Sequence, residues 1–307
     1  MHLSTLIGRF QKRKSALLIC AMLLSGTSAA RRATAQDLYV ADYAGSIYKV
    51  TPAGTSTLFA TAPLGLAGMA RDSHGNIFVS VYSSNSLYKI TPAGVSTQFA
   101  TGIFGPEEVA IDKHDNIYVS SEYGGTVTKI TPTGTVTTLA SGLTRPAGLA
   151  IAANGNILVG EYTSDRIQQI TPTGTVSLYA NTGSIEPGTL AFDASGNLYL
   201  GDPFHNQIGK MAPGGGPATY FASTPQPYGM AFNAAGNLFV ANYTSNVIDE
   251  ITPTGVVTPF VSGLGSSTHL FFAAEPSTPE PGSVALFASC VVMSAGVIAR
   301  RRRRNGK

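Results

Sequence analysis

The 307-residue chain has no tryptophan, and its two cysteines, Cys20 and Cys290, lie in apolar segments near the two ends. The sequence between those segments therefore offers no disulfide, no thiolate nucleophile and no cysteine metal ligand. It also lacks a G-x-S-x-G motif, a cluster of His or Cys with metal-ligand spacing, and a phosphate-binding loop. These absences exclude serine hydrolases of the nucleophile-elbow type, zinc sites built on cysteine, and P-loop nucleotide chemistry.

Cations are scarce between residues 36 and 278, where 8 Lys and Arg stand against 16 Asp and Glu, a formal net charge of −8. The whole chain is nevertheless formally +3, because the end segments are rich in arginine and lysine. A protein that binds nucleic acid needs a basic face for the phosphates. The acidic central region therefore argues against nucleic acid as a partner.

Residues 1–35 predict a signal peptide. A positive segment, Arg9 to Lys14, precedes the apolar stretch Ser15 to Leu24, which is too short to span a bilayer. The small residues that end at Ala35 are typical of a signal-peptidase site, so cleavage is expected after Ala35 and the protein is expected to be exported. The alternative is an uncleaved membrane anchor.

The other end combines three features in order: Pro279, Glu280 and Pro281, then an uncharged apolar run to Ala299, then five consecutive arginines. We expect a linker over 276–282, a transmembrane helix over 283–299 and a cytoplasmic tail over 300–307. This arrangement resembles the PEP-CTERM sorting signal. The resemblance implies processing by an exosortase-type enzyme and delivery from the membrane to the cell surface. An ordinary single-pass anchor is the alternative.

Between the two ends the sequence repeats. Thr-Pro-x-Gly starts at Thr51, Thr91, Thr131, Thr171 and Thr252, with Ala212 in the remaining place, at spacings of 40, 40, 40, 41 and 40. Each repeat contains four short segments rich in β-branched and aromatic residues, separated by turn residues. Six units of four strands and about 40 residues predict an all-β, six-bladed β-propeller with antiparallel blades over residues 36–275.

The phase of the repeats predicts how the ring closes. The central region begins with residues that match a second strand, Leu38 to Val40, and ends with residues that match a first strand, His269 to Phe272. We therefore expect residues 268–274 to supply the innermost strand of the blade formed by residues 37–60.

The repeat texts NLFVANYTSNVIDEITPTG and NLYLGDPFHNQIGKMAPGG, at Asn237 and Asn197, resemble NHL and SMP-30/gluconolactonase-like propellers, and the first is similar to virginiamycin B lyase repeats. The resemblance covers all six repeats. It implies a propeller and, for the lyase branch, a divalent-metal-dependent lyase or lactonase. In that branch a catalytic His at the start of an inner strand works with a Mg²⁺-binding Glu at the end of the next strand. His269 and Asp42 match those places across the ring closure, with Asp in place of Glu.

Oxygen-bearing side chains recur where the second strand of a repeat ends, and aromatic residues follow them. Because equivalent positions form rings around a propeller channel, these residues are expected at one channel mouth. The possible ligands of Ca²⁺ or Mg²⁺ are Asp42, Glu122, Glu161, Asp202 and Asn242. The aromatics expected on the ligand face are Tyr43, Tyr82, Tyr123, Tyr162 and Tyr243. The alternatives are that the oxygens cap strand ends and that the tyrosines pack between blades.

His269 departs from the repeat, since other blades have Gly68, Gly148, Gly188 and Gly229 in its place. We expect it beside Asp42 as a catalytic pair, or else as a plug in the channel. Other polar residues on this face, without fixed spacing, are Glu107, Glu108, Arg145 and Glu186.

Two functions remain open. The first is a monomeric, non-catalytic surface module that binds a polysaccharide, small ligand or protein in the envelope or matrix. The second is a divalent-metal lyase or lactonase that uses His269 as its base.

Overall fold

The computed structural model describes residues 36–273, which form six four-stranded antiparallel sheets. Blade one contains β1 (Leu38–Asp42), β2 (Ser46–Val50) and β3 (Ser56–Thr61). Blade two contains β4 (Leu66–Arg71), β5 (Ile77–Val81), β6 (Ser86–Ile90) and β7 (Ser96–Thr101), with a 3-10 turn at Tyr82–Ser84. Blade three contains β8 (Pro106–Ile111), β9 (Ile117–Ser121), β10 (Thr126–Ile130) and β11 (Val136–Ser141).

The second half of the described chain repeats this plan. Blade four contains β12 (Pro146–Ile151), β13 (Ile157–Glu161), β14 (Arg166–Ile170) and β15 (Val176–Asn181). Blade five contains β16 (Thr189–Phe192), β17 (Leu198–Asp202), β18 (Gln207–Met211) and β19 (Thr219–Ser223). Blade six contains β20 (Pro227–Phe232), β21 (Leu238–Asn242), β22 (Val247–Ile251) and β23 (Val257–Ser262), and β24 (Ser267–Phe272) follows it.

The ring closes as the repeat phase predicted. β24 pairs with β1, with Phe271 opposite Tyr39 and Leu270 opposite Val40, so blade one has the strand order β24-β1-β2-β3. The inner strands β4, β8, β12, β16, β20 and β24 then contact one another in a closed series. The prediction of a six-bladed all-β propeller is confirmed.

The recurring Thr-Pro-x-Gly closes the hairpin between the third and fourth strands of a blade. In blade one the Gly54 amide donates to the Thr51 carbonyl at 2.9 Å, and the Thr51 amide donates to Thr55 at the same distance. Gly54 has a φ of +80°, a conformation that side-chain-bearing residues rarely adopt. The glycine is therefore needed by the turn.

The core consists of one apolar cluster at each interface between neighbouring blades. Leu66 and Met69 of blade two pack with Ile47 of blade one, for example, and the last interface joins Phe239 of blade six to Leu270 of blade one. Since a lone four-stranded sheet could not bury both faces, this stacking holds the disc together.

The predicted signal peptide, linker, transmembrane helix and arginine-rich tail all lie outside the described residues. Within residues 36–273, no helix has both the length and the apolar character needed to cross a bilayer.

Candidate functional site

One face of the propeller has a funnel whose floor is built by the starts of the inner strands. The deepest ring consists of Gly68, Glu108, Gly148, Thr189, Gly229 and His269, so glycine alternates with a larger residue. A Cβ on Gly68 would lie 2.6 Å from the Glu108 Cα, and one on Gly229 would lie 2.6 Å from the His269 Cα. Each glycine thus allows the next inner strand to come close, and the larger side chains take the space at the centre.

This register corrects one alignment made from sequence. Gly188 was expected in the ring, but Thr189 occupies the place because it pairs with Gly201, as His269 pairs with Ala41. Gly188 lies one position nearer the mouth and lines the funnel.

His269 forms an acid–base pair with Glu108. Its Nε2 lies 2.8 Å from Glu108 Oε1, and the two side chains are 11% and 8% exposed. Its Nδ1 is buried and has no hydrogen-bond partner among the described residues. The Glu108 backbone amide donates to the Ser120 hydroxyl on the neighbouring strand β9 at 3.0 Å, so Glu108 is held by its own blade.

The expectation that His269 pairs with Asp42 is wrong. The ladder between β1 and β24 shifts register after Ala41, so Asp42 lies opposite Ser267 and His269 lies opposite Ala41. Asp42 instead accepts a hydrogen bond from the Ser46 amide at 2.7 Å and caps its own hairpin. The partner of His269 comes from blade three, across blade two.

The next ring towards the mouth is mostly small. Its members are Ala67, Glu107, Ala147, Gly188, Tyr228 and Thr268, and all six line the funnel. Glu107 and Tyr228 are the two large members, and they belong to blades three and six, which face each other across the channel. Both Glu107 and Glu108 lie in a register shift between Pro106 and Val109. Such bulges redirect side chains, and here both carboxylates reach the funnel.

A hydrogen-bonded carboxylate group lies beside this ring. Glu122 Oε1 accepts from Arg145 Nε at 2.9 Å and also contacts Arg145 Nη2, while Glu122 Oε2 accepts from the Tyr82 hydroxyl at 2.8 Å. Burial raises the pKa of Glu107 to about 8, with the charge of Glu122 and a hydrogen bond to it adding to the effect. The Glu107 carboxyl group is therefore protonated over much of the neutral range.

Tyrosines form the wall and rim. All five predicted tyrosines line the funnel, together with Phe204 and Tyr228. They also contact each other between neighbouring blades: Tyr43 with Tyr243 at 6.2 Å, Tyr82 with Tyr123 at 5.8 Å, and Tyr162 with Phe204 at 5.5 Å between ring centroids. Interblade packing and a place in the funnel are thus compatible, and ligand binding by these rings stays a prediction.

The predicted oxygen ligands do not converge. Asp42, Glu161, Asp202 and Asn242 end the second strands of their blades, are almost completely buried, and do not line the funnel. Glu161 accepts from the Thr144 amide at 2.7 Å and the Ser164 hydroxyl at 2.9 Å, and Asn242 donates to Asp249 at 2.6 Å. Asp202 accepts from the backbone amides of Phe204 and His205. Asp42, Glu161 and Asp202 thus hold the loops of their own blades, while Asn242 is bonded to the neighbouring strand β22.

Glu122 alone of that set reaches the funnel, because it lies one residue beyond the strand end, at the position where blades one, two, four and six have tyrosine. Residues 36–273 contain no group of three or more His, Cys, Asp or Glu side chains able to hold a metal ion. Among these residues, the predicted ligands of Ca²⁺ or Mg²⁺ do not converge on one point. Metal binding stays a prediction.

Sequence reasoning gave no role to three residues of the funnel. Glu107 and Glu108 were placed on the correct face without a function, and Tyr228 was not considered. The signal for Tyr228 was available, since it is a large residue at a repeat position that is otherwise small in most blades. The cavity enclosed by floor and wall measures about 350 Å³, within the range of small-molecule sites.

Comparison with known proteins gives a family and a fold. A family model described as the virginiamycin B lyase family matches residues 55–270. No curated protein sequence matches the chain. Among solved structures, the virginiamycin B lyase from Staphylococcus aureus has 17% identity and a TM-score of 0.58, covering 77% of this chain and 87% of that chain.

Two further solved structures are similar. A structure of the nidogen/laminin complex has 18% identity and a TM-score of 0.70, covering 78% of this chain and 98% of that chain. A catalytically inactive histidine-to-alanine variant of the Staphylococcus aureus lyase with quinupristin has 16% identity and a TM-score of 0.58, covering 75% of this chain and 86% of that chain. At these identities the structures establish the propeller fold alone.

Proposed function

The chain belongs to the virginiamycin B lyase family, and from this we propose that it is a binding propeller whose funnel takes up a small molecule. The ligand would offer a ring or apolar surface to the tyrosine wall and a polar group to the buried floor.

The funnel itself carries this proposal. It gathers seven aromatic side chains and the buried Glu108–His269 pair around a single cavity of about 350 Å³. Cavities of this size that combine apolar walls with a few polar groups are typical ligand sites. Asp42, Glu161 and Asp202 are hydrogen-bonded to their own loops and Asn242 to the neighbouring strand β22, so none of these four side chains takes part in the funnel.

We also propose that the protein works outside the cytoplasm, at the cell surface or in the surrounding matrix. The apolar segment that ends in Ala35 and the ordered Pro-Glu-Pro, apolar run and arginine cluster at residues 279–304 support this location.

A thermal-shift screen tests the binding function. The purified chain is screened against aromatic compounds, cyclic peptides including quinupristin, and saccharides. Compounds that raise the melting temperature are expected to lose that effect in Tyr228→Ala, because this change opens the wall. Tyr220→Ala is the matched control, since Tyr220 is 67% exposed on the outer strand β19 and does not line the funnel. If no compound raises the melting temperature, or if Tyr228→Ala responds like Tyr220→Ala, the proposal fails.

A lyase is the second candidate, and the Glu108–His269 pair favours it. If Nε2 carries the proton shared with Glu108, the unpartnered Nδ1 has its lone pair free to remove a proton from a bound substrate. In an elimination that proton moves to His269, a carbon–oxygen bond breaks, a carbon–carbon double bond forms, and the oxygen leaves as a carboxylate.

Incubation with quinupristin followed by mass spectrometry distinguishes elimination from hydrolysis, because elimination keeps the total mass of the substrate and hydrolysis adds the mass of one water. A lyase must lose turnover in His269→Ala while the melting temperature stays similar.

A further inference from the structure

The ionisable groups lining the funnel include one carboxyl group without a cationic partner among the described residues. Glu107, Glu108 and Glu122 face the cavity with Arg145 and His269. Arg145 is bound to Glu122, and His269 is bound to Glu108, so each of these carboxylates has a partner. Glu107 makes no ion pair of its own among residues 36–273. Its raised pKa keeps a proton on Glu107 in the empty funnel near neutral pH, and a bound cation would stabilise the carboxylate and so favour release of that proton.

Glu107 shares the funnel with seven aromatic side chains. Burial raises the pKa of Tyr228, with the Glu107 charge as the next largest cause, and both side chains line the same funnel. The same order of causes holds for the pKa of Tyr162. Tyr228 in turn packs on Tyr243 at 4.9 Å between ring centroids. A carboxylate among ring faces is the environment that proteins use for organic cations.

Elsewhere in the propeller the chain supplies its own cations to aromatic rings. Lys89, Lys129 and Lys210 lie 5.7, 5.6 and 5.0 Å from the centroids of Phe78, Tyr118 and Tyr199. In the funnel, Arg145 lies 5.9 Å from the Tyr162 centroid, but no such cation of the described chain lies over Tyr43, Tyr228 or Tyr243. Both the spare carboxyl group and these rings are open to a cation from outside.

Resting on the proposed binding function, we propose that the ligand of the funnel is an organic cation, whose ammonium group lies between Glu107 and the rings of Tyr228 and Tyr243. His269 supports a bound ligand independently of the charges, because it is nine-tenths buried, lines the same cavity and has an unpartnered Nδ1. That nitrogen would hydrogen-bond a polar group of the ligand deeper in the funnel.

Matched pairs of probes test the charge preference. Choline is compared with its uncharged isostere dimethylbutanol, and phenethylamine with phenylethanol, by isothermal titration calorimetry. The charged member of each pair is expected to bind at least about tenfold more tightly. Glu107→Gln should remove that preference and leave the neutral compounds unchanged. Tyr228→Leu should weaken the charged probes, while Tyr228→Phe, which keeps the ring face, should retain them.

Glu186→Gln is the control variant. Glu186 lies in the loop before the inner strand of blade five and does not line the funnel, so its replacement should leave all affinities unchanged. If neutral and charged probes bind equally and still depend on Tyr228, the cation inference is wrong and the binding function stands. If none of the four probes binds, or if Glu186→Gln and Glu107→Gln have equal effects, the cation inference is also wrong, and the wider screen alone decides the binding function.

Discussion

Single glycines determine how closely the inner strands approach the channel axis. Gly148 lies in blade four, and a Cβ at this position would lie 2.8 Å from the Cα and 2.9 Å from the carbonyl carbon of Thr189 in blade five. Both neighbours are backbone atoms and cannot rotate away. Its φ is outside the left-handed region, so crowding rather than conformational freedom explains the glycine.

Gly148→Ala is therefore expected to destabilise the protein by about 1–3 kcal/mol, the usual cost of forcing one extra carbon into a packed core. Urea unfolding should show a lower midpoint with an unchanged slope. Gly124→Ala serves as the comparison, because its nearest neighbour is a side-chain atom of Ser121 at 3.1 Å, and it should cost less. Equal midpoints for Gly148→Ala and the unaltered chain would contradict this account of the glycine ring.

At the scale of elements, the side chain of Asp193 holds the turn between the first and second strands of blade five. Asp193 Oδ1 accepts from the amides of Ser195 and Asn197 at 2.9 Å, and Oδ2 accepts from the Asn197 side chain at 2.7 Å. Burial alone would raise the pKa of Asp193, but these hydrogen bonds outweigh it and lower the pKa. Blade four has Ala152 at the equivalent position and so lacks the bonds.

This natural difference gives paired variants. Asp193→Ala should lower the free energy of unfolding by about 1 kcal/mol or more at pH 7. Ala152→Asp should raise it by part of that amount, because it introduces the same hydrogen bonds in blade four. Because the folded-state pKa is lowered, the contribution of Asp193 exists above its usual value of 3.8 and is lost as the pH falls below it. Unfolding of the unaltered chain and of Asp193→Ala should thus converge in acid. A constant difference between pH 3 and pH 7 would exclude the carboxylate as its source.

The sequence predicts some elements of this molecule and not others. The period, the strand content and the closure through β24 were all predicted, because turn residues and apolar alternation mark them locally. The floor of the funnel was not, since Glu107 and Glu108 lie in a register shift that breaks the two-residue alternation. Glu122 was grouped with Asp42 because the end of its strand is not marked in the sequence; it lies one residue beyond that end, where the side chain points in the opposite direction. The contact between His269 and Glu108 joins different blades and has no local signal.

At the scale of the whole molecule, the ring has one joint that differs from the others. Five inner strands are connected directly to their own second strands by a hairpin, whereas β24 reaches β1 only through hydrogen bonds and packing. Leu270 is completely buried between blades one and six, and Phe271 stacks on Tyr39 at 5.3 Å. Loss of β24 from this joint would expose the edge of β1 and open the disc.

Leu270→Ala and Leu149→Ala remove the same atoms from equivalent positions, the first on β24 and the second on β12 of blade four. Each is expected to cost about 2–5 kcal/mol of global stability. Hydrogen exchange should separate them, because β24 has no hairpin to hold it in blade one. In Leu270→Ala the amides of β24 and β1 should exchange through local opening, at rates nearly independent of denaturant, while β12 and β13 keep their dependence on global unfolding. In Leu149→Ala all blades should still exchange together, because the hairpin to β13 retains β12. If the β24 amides stay as protected as those of β12 in both variants, the prediction is wrong. The noncovalent contacts of β24 would then hold it in blade one as firmly as a hairpin holds β12 in blade four.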